Sequence, residues 1–306
     1  DAFKCCGLTI WTVSTIESDT FLFSISTKKH LSFLFKLFYY STVFVILKLI
    51  SIKAVSQRNG VLMRNIKLTI EYDGSRYQGW TRLGKDESGN TISNKITEVL
   101  KKMTEEDDLE LFCGCRTEVG VHAYAQIANF RTSCSVSTQN IKHYLNRYLP
   151  MDIAIIEVEE VPERFHAQLN ATSKTYVYRM TIDDVPSVFD RKYTYHCYRI
   201  PDKRLMQQAA EKLTGRHDFR NFSSAKKTKS TVREIFDIDI YGDIEEMQIL
   251  IHADDFLHNM ARIIVGTLMD IGLGNRSVQD IDDILAGTRE ASAPCDPKGL
   301  YLQEVT

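Results

Sequence analysis

The chain has 306 residues, 43% apolar and 25% charged, with a formal net charge of −2. That length allows a substantial core in one large domain or two smaller ones, and the composition is that of an ordinary soluble globular protein. The charge excludes any bulk attraction to phosphate, and the seven cysteines, with no C-x-x-C pair or downstream histidine spacing, exclude a zinc signature. Their expected state is the reduced thiol of a cytosolic protein.

The first 62 residues differ from the rest. Leu31 to Ile50 is mostly Leu, Phe, Tyr, Val and Ile, interrupted by Lys36 and Lys48, a marginal membrane span. It begins too late for a signal peptide and lacks a small-residue cleavage site. No methionine precedes Met63, and the Phe, Lys, Ile, Leu and Tyr bias is also what translated AT-rich noncoding DNA yields. The expected natural start is therefore Met63, with residues 1–62 outside the working protein; a genuine membrane anchor is the second reading. From Met63 onward 31 basic residues face 37 acidic ones, a net charge of −6. Any nucleic-acid site must then be a local basic cleft.

Ile66 to Tyr72 alternates apolar and polar residues and ends at Asp73-Gly74, which predicts a half-buried strand. Ile92, Ile96, Val99, Leu100 and Met103 follow helical spacing behind Thr91, a capping residue. Leu109 to Gly114 and Tyr124 to Phe130 predict strands flanking a loop. Ile141, Tyr144, Leu145 and Tyr148 mark a helix stopped by Pro150, and Asp152 to Val158 is a further strand.

The same order recurs. Thr175 to Ile182 predicts a strand and Asp202 to Leu213 a helix closed by Gly215. Val232 to Tyr241 and Met247 to Ala253 predict a hairpin around Gly242. Phe256 to Ile271 predicts an apolar helix, Val278 to Leu285 a short one, and Leu300 to Val305 the last strand. Two consecutive β-α-β-β-α-β units, residues 63–168 and 169–306, predict an α+β fold of two ferredoxin-like halves side by side with a cleft between them.

Chemistry concentrates between the second and third strands. Arg116-Thr117-Glu118-Val119-Gly120-Val121-His122 places an arginine, a carboxylate and a histidine in one loop, with Gly120 allowing a tight turn. A carboxylate at a strand end beside an arginine suits a nucleophile or base; a surface ion pair of little consequence is the bland alternative. Arg262 lies within an apolar helix and needs a partner, so a buried acid is expected beside it. Lys226, Lys227, Lys229 and Arg233 form the clearest basic run, either an RNA-backbone contact or a solvated loop.

The loop is similar to the G-R-T-D-A-G-V-H-A motif of the tRNA pseudouridine synthase A family, and further matches run in order. Glu71-Tyr72-Asp73-Gly74-Ser75 with Gly79-Trp80 resembles the family's opening strand and turn. Asn146, Leu149-Pro150 and Asp152-Ile153 resemble its L-N-x-x-L-P-x-D-I segment. Phe165-His166-Ala167 with Lys174, Tyr176 and Tyr178 follows the stretch carrying the substrate-contacting tyrosine. Phe256, His258, Met260, Arg262 and Val265-Gly266 resemble the F-x-H-x-M-x-R-x-x-V-G helix, and Gly299-Leu300-Tyr301-Leu302 the closing strand.

This resemblance implies isomerisation of uridine to pseudouridine in the anticodon arm of tRNA, without metal or organic cofactor, by a homodimer. It implies a base flipped out of the RNA stack towards a carboxylate. Carried over residue by residue, Glu118 occupies the nucleophile position, where the family has Asp. Arg116 would pair with that carboxylate, Tyr176 would contact the uracil, and Arg262 would pair with the acid or the RNA backbone. Thr81, Ser93 and Gln168 also depart from the family pattern. Three readings follow: a working synthase that accommodates the longer acid, an inert relative that keeps the cleft and binds RNA, or an enzyme acting on a different RNA or nucleotide substrate.

Overall fold

The computed structural model describes residues 63–81, 89–224, 230–243 and 245–306. Contacts divide the chain at Val61–Leu62, and every described residue belongs to the second unit. The readings made on residues 1–62, on Lys226, Lys227 and Lys229, fall outside the described residues. Among the described residues no helix is long and apolar enough to cross a membrane.

The first half runs β1 (Arg64–Tyr72), α1 (Ile92–Thr104), β2 (Leu111–Cys113), β3 (His122–Thr132), α2 (Thr138–Tyr148) and β4 (Ile153–Val161). The Thr91 hydroxyl accepts the Asn94 N–H at 3.3 Å and so caps α1. The Ser137 side chain caps α2 in the same way, and the helix ends at Leu149, before Pro150.

The second half runs β5 (Lys174–Ile182), β6 (Tyr195–Cys197), α3 (Lys203–Leu213), β7 (Gly215–Asp218), β8 (Val232–Gly242), β9 (Met247–Ala253), α4 (Met260–Gly272), α5 (Asp280–Ala286) and β10 (Leu300–Val305). Both predicted units are therefore present. Three details differ from expectation. Gly215, with φ +101°, opens strand β7 instead of closing α3, whose cap is Thr214. The strands β6 and β7 carry no strong alternating pattern. And α4 begins only at Met260, because Asn259 takes a left-handed conformation, φ 62°, which interrupts the helix on its N-terminal side.

All ten strands form one sheet, ordered β4-β1-β3-β10-β5-β9-β8-β7, with β2 beside β3 and β6 beside β5. The seam between the halves is the short parallel pairing of Tyr301 with His122 and Leu302 with Ala123. Strand register sorts the side chains. Ile66, Leu68, Ala128, Phe130, Leu302, Tyr176, Tyr178, Ile249, Ile251, Ile238 and Ile240 share one face and are all buried. The helices cover that face, α1 packing with α2 and α3 with α4. Tyr124, Val177, Arg179, Gln248 and Leu250 line a hollow of about 960 Å³ on the opposite face, which no described helix covers.

Helix α4 is buried on nearly every side. A Cβ on its Gly266 would lie 2.3 Å from the Ala293 carbonyl oxygen, so only glycine lets the 288–296 segment lie against the helix. That segment ends beside the functional site.

Candidate active site

The loop between β2 and β3 lies at the seam, and every side of it is anchored. Gln126, fully buried in β3, binds Cys115 twice: its Oε1 accepts the Cys115 N–H at 3.2 Å and its Nε2 donates to the Cys115 carbonyl at 2.6 Å. Thr117 is buried, its hydroxyl 2.7 Å from the Tyr72 hydroxyl and its carbonyl accepting the Trp80 N–H at 3.1 Å. Gly79, with φ +82°, passes so close that a Cβ there would lie 2.7 Å from the Thr117 carbonyl oxygen. The turn closes with the Val121 N–H donating to the Glu118 carbonyl at 3.2 Å, and Gly120 supplies the positive φ of +79°.

This backbone turns Thr117 inward, Arg116 and Val119 outward, and leaves Glu118 half-buried. Glu118 Oε1 accepts the backbone N–H of Asn259 at 2.9 Å, at the N-terminus of α4, where free N–H groups and the helix dipole favour an anion. The Asn259 side chain then reaches two ways. Its Oδ1 accepts Arg262 Nη1 at 2.9 Å, and its Nδ2 donates to Ser224 Oγ at 3.0 Å. Arg262 Nε donates to the Cys295 carbonyl at 2.7 Å. In place of the expected buried acid, Arg262 thus meets a carbonyl and an amide oxygen, because Asn259 stands between the guanidinium and Glu118.

Tyr176 is buried on the covered face of β5, its hydroxyl 3.1 Å from Cys115 Sγ and its ring edge-on to Phe256 at 4.9 Å. Burial pushes its phenol well above the ordinary value, with the Cys115 and Glu118 charges adding to the effect. It remains a neutral phenol that can pack and hydrogen-bond. Burial likewise raises the Cys115 thiol, and the five described cysteines are free thiols.

Of the residues singled out from sequence, the structure gathers Glu118, Tyr176 and Arg262 around the N-terminus of α4. It does not pair Arg116 with Glu118: Arg116 is exposed and makes no ion pair among the described residues, whereas Glu118 is half-buried and bound to the Asn259 N–H. Arg233 stands at the start of β8, donating through Nη1 to the carbonyls of Ser230 and Val232. His122 is a buried pillar, its ring stacked on Tyr301 at 4.7 Å and its Nδ1 3.2 Å from the Asp73 carboxylate. Sequence reasoning missed Gln126 and Asn259. A glutamine within an otherwise apolar stretch of β3 was a usable signal; nothing local marks Asn259.

A ferredoxin-like pair with a carboxylate loop at its seam defines a pseudouridine synthase architecture, and comparison with known proteins agrees. The family model described as tRNA pseudouridine synthase matches residues 68–170 and 209–306. The chain belongs to the tRNA pseudouridine synthase family. It is 43% identical over 246 residues to tRNA pseudouridine synthase A 2 of Clostridium perfringens, covering 79% of this chain and 99% of that protein. It is 42% identical to tRNA pseudouridine synthase A 2 of Bacillus cereus, with the same coverage. A tRNA pseudouridine synthase A from a Bacillus species is also 42% identical, covering 80% of this chain and all of its own length.

Proposed function

We propose that this chain isomerises uridine to pseudouridine in the anticodon arm of tRNA, with Glu118 as the nucleophile. The observation that carries the reading is the meeting of Glu118, from the first half, with Tyr176 and the N-terminus of α4, from the second. A carboxylate oxygen attacks ribose C1′, the C1′–N1 bond breaks and its electron pair passes to uracil N1. The detached uracil turns, C5 bonds to C1′ as the ester bond to Glu118 breaks, and the C5 proton leaves to solvent while N1 takes one up. A route through a glycal, with the same carboxylate as base at C2′, gives the same product. Tyr176 packs against the uracil, and its raised pKa keeps it a neutral phenol. Arg262 supplies positive charge beside the acid through Asn259. Arg116, exposed and without an ion pair among the described residues, faces the RNA. No observation favours the inert reading.

A second copy of the chain is the partner proposed for the sheet face that no described helix covers, whose hollow is lined by Tyr124, Val177, Tyr241 and Leu250 among others. That places the catalytic faces of a dimer outward.

The test is release of tritium from tRNA labelled at uridine C5. Glu118→Gln keeps an acceptor for the Asn259 N–H but no nucleophile. Release by the unaltered protein and a loss of more than ~1,000-fold in the variant are expected. Equal release by both would remove Glu118 from the chemistry.

A further inference from the structure

Beside Tyr176 lies a cluster that the reaction does not use. Lys174 is two residues earlier on the same face of β5, about 7 Å along the strand. Its side chain is only 10% exposed, and its ammonium binds Asp255 Oδ1. Arg233 Nη2 lies 3.6 Å from Asp255 Oδ2, with its side chain 18% exposed. The Arg233 Nε is buried and has no hydrogen-bond partner among the described residues. Asp255 itself is 46% exposed and leads directly into Phe256, whose ring meets Tyr176. Two largely buried cations therefore share one half-exposed carboxylate at the edge of the uridine site.

A lysine buried to this degree is costly without an anion. Burial pulls its pKa down, and the neighbouring Cys115 and Asp255 more than restore it. The cations are fixed by strands β5 and β8, whereas the carboxylate sits on the β9–α4 connection and faces solvent. Asp255 is the exchangeable member. A phosphodiester carries the same single charge on two oxygens, and an ammonium beside a guanidinium Nη suits it.

We propose that Lys174 and Arg233 form a phosphate-binding site for the substrate RNA, which Asp255 fills in the free protein and which a backbone phosphate near the target uridine takes over on binding. This rests on reading Tyr176 and Glu118 as the uridine site. The carboxylate then acts as a built-in competitor: it keeps the lysine paired without RNA and weakens attachment of RNA that cannot place a phosphate there.

The experiment is binding of unmodified tRNA across a salt series, by the intact protein and by Asp255→Asn, Arg233→Gln and the double variant. Asp255→Asn is expected to bind several-fold more tightly, with the log–log salt slope steeper by about 0.7, one more counterion released. Arg233→Gln alone should flatten the slope by a similar amount. In the double variant the gain from Asp255→Asn should shrink, because half the site is gone. An unchanged slope in both single variants overturns the proposal. So does an undiminished gain in the double variant, which would mark a general charge effect. Arg233→Gln keeps the question open to test even where Asp255→Asn fails to fold. Repeating the series in Glu118→Gln separates this site from the chemistry: the binding differences should persist there without turnover.

Discussion

Glu118 and Asn259 are 141 residues apart in sequence and joined by one hydrogen bond of 2.9 Å between carboxylate and backbone N–H. That bond spans the two halves of the protein. Through the Asn259 side chain it continues to Arg262 and Ser224, and Arg262 reaches the Cys295 carbonyl, so the 116–122 loop, the start of α4 and the 288–296 segment are held as one unit.

Asn259 adopts φ 62°, a conformation that asparagine and glycine tolerate and other residues adopt at about 1–2 kcal/mol. Asn259→Ala should therefore lose stability of that order in urea denaturation. Asn259→Gly should keep the backbone bond to Glu118 and most of the stability while releasing Arg262 Nη1. A drop in turnover for the glycine variant at near-native stability would isolate the link to Arg262; native turnover would show that the link is only structural.

Gln126 satisfies both the N–H and the carbonyl of Cys115 in a fully buried setting. Gln126→Leu matches its size roughly but leaves both groups without partners, at about 1–3 kcal/mol each. The expected loss is ~2–4 kcal/mol by equilibrium denaturation. A loss below ~1 kcal/mol would mean that the loop is held by Thr117 and Gly79 alone.

Burial lowers the His122 pKa below its ordinary 6.5, although the adjacent Asp73 pulls it upward. The unfolded chain therefore binds a proton at His122 more readily than the folded one. Stability should rise with pH through the interval below 6.5 and be free of this penalty above it. Melting temperatures measured from pH 5 to 8 should fall on the acid side, and His122→Asn should reduce that dependence. An unchanged profile in the variant would place the acid sensitivity elsewhere.

Much of this protein was legible from its residues. Strands such as Ile66 to Tyr72 and Met247 to Ala253 alternate because one face is covered and the other is not. Thr91 and Asp202 announce helix starts because a side-chain oxygen must satisfy free N–H groups. The loop 116–122 was visible because its residue types are chemically uncommon together. Strands β6 and β7 were not visible, since three or four residues carry too little periodicity. Nor was the outward turn of Arg116, which depends on where Gly79, Thr117 and Gln126 hold the loop.

The sequence by itself determined the two repeated units and the family, and it singled out Glu118, because local periodicity and ordered motifs are properties of neighbouring residues. Only the tertiary structure decided what that acid touches. The parallel pairing of β10 with β3 fuses the halves into one sheet and brings the start of α4 to Glu118. Hydrogen bonds across such distances follow from packing, which no spacing along the chain encodes.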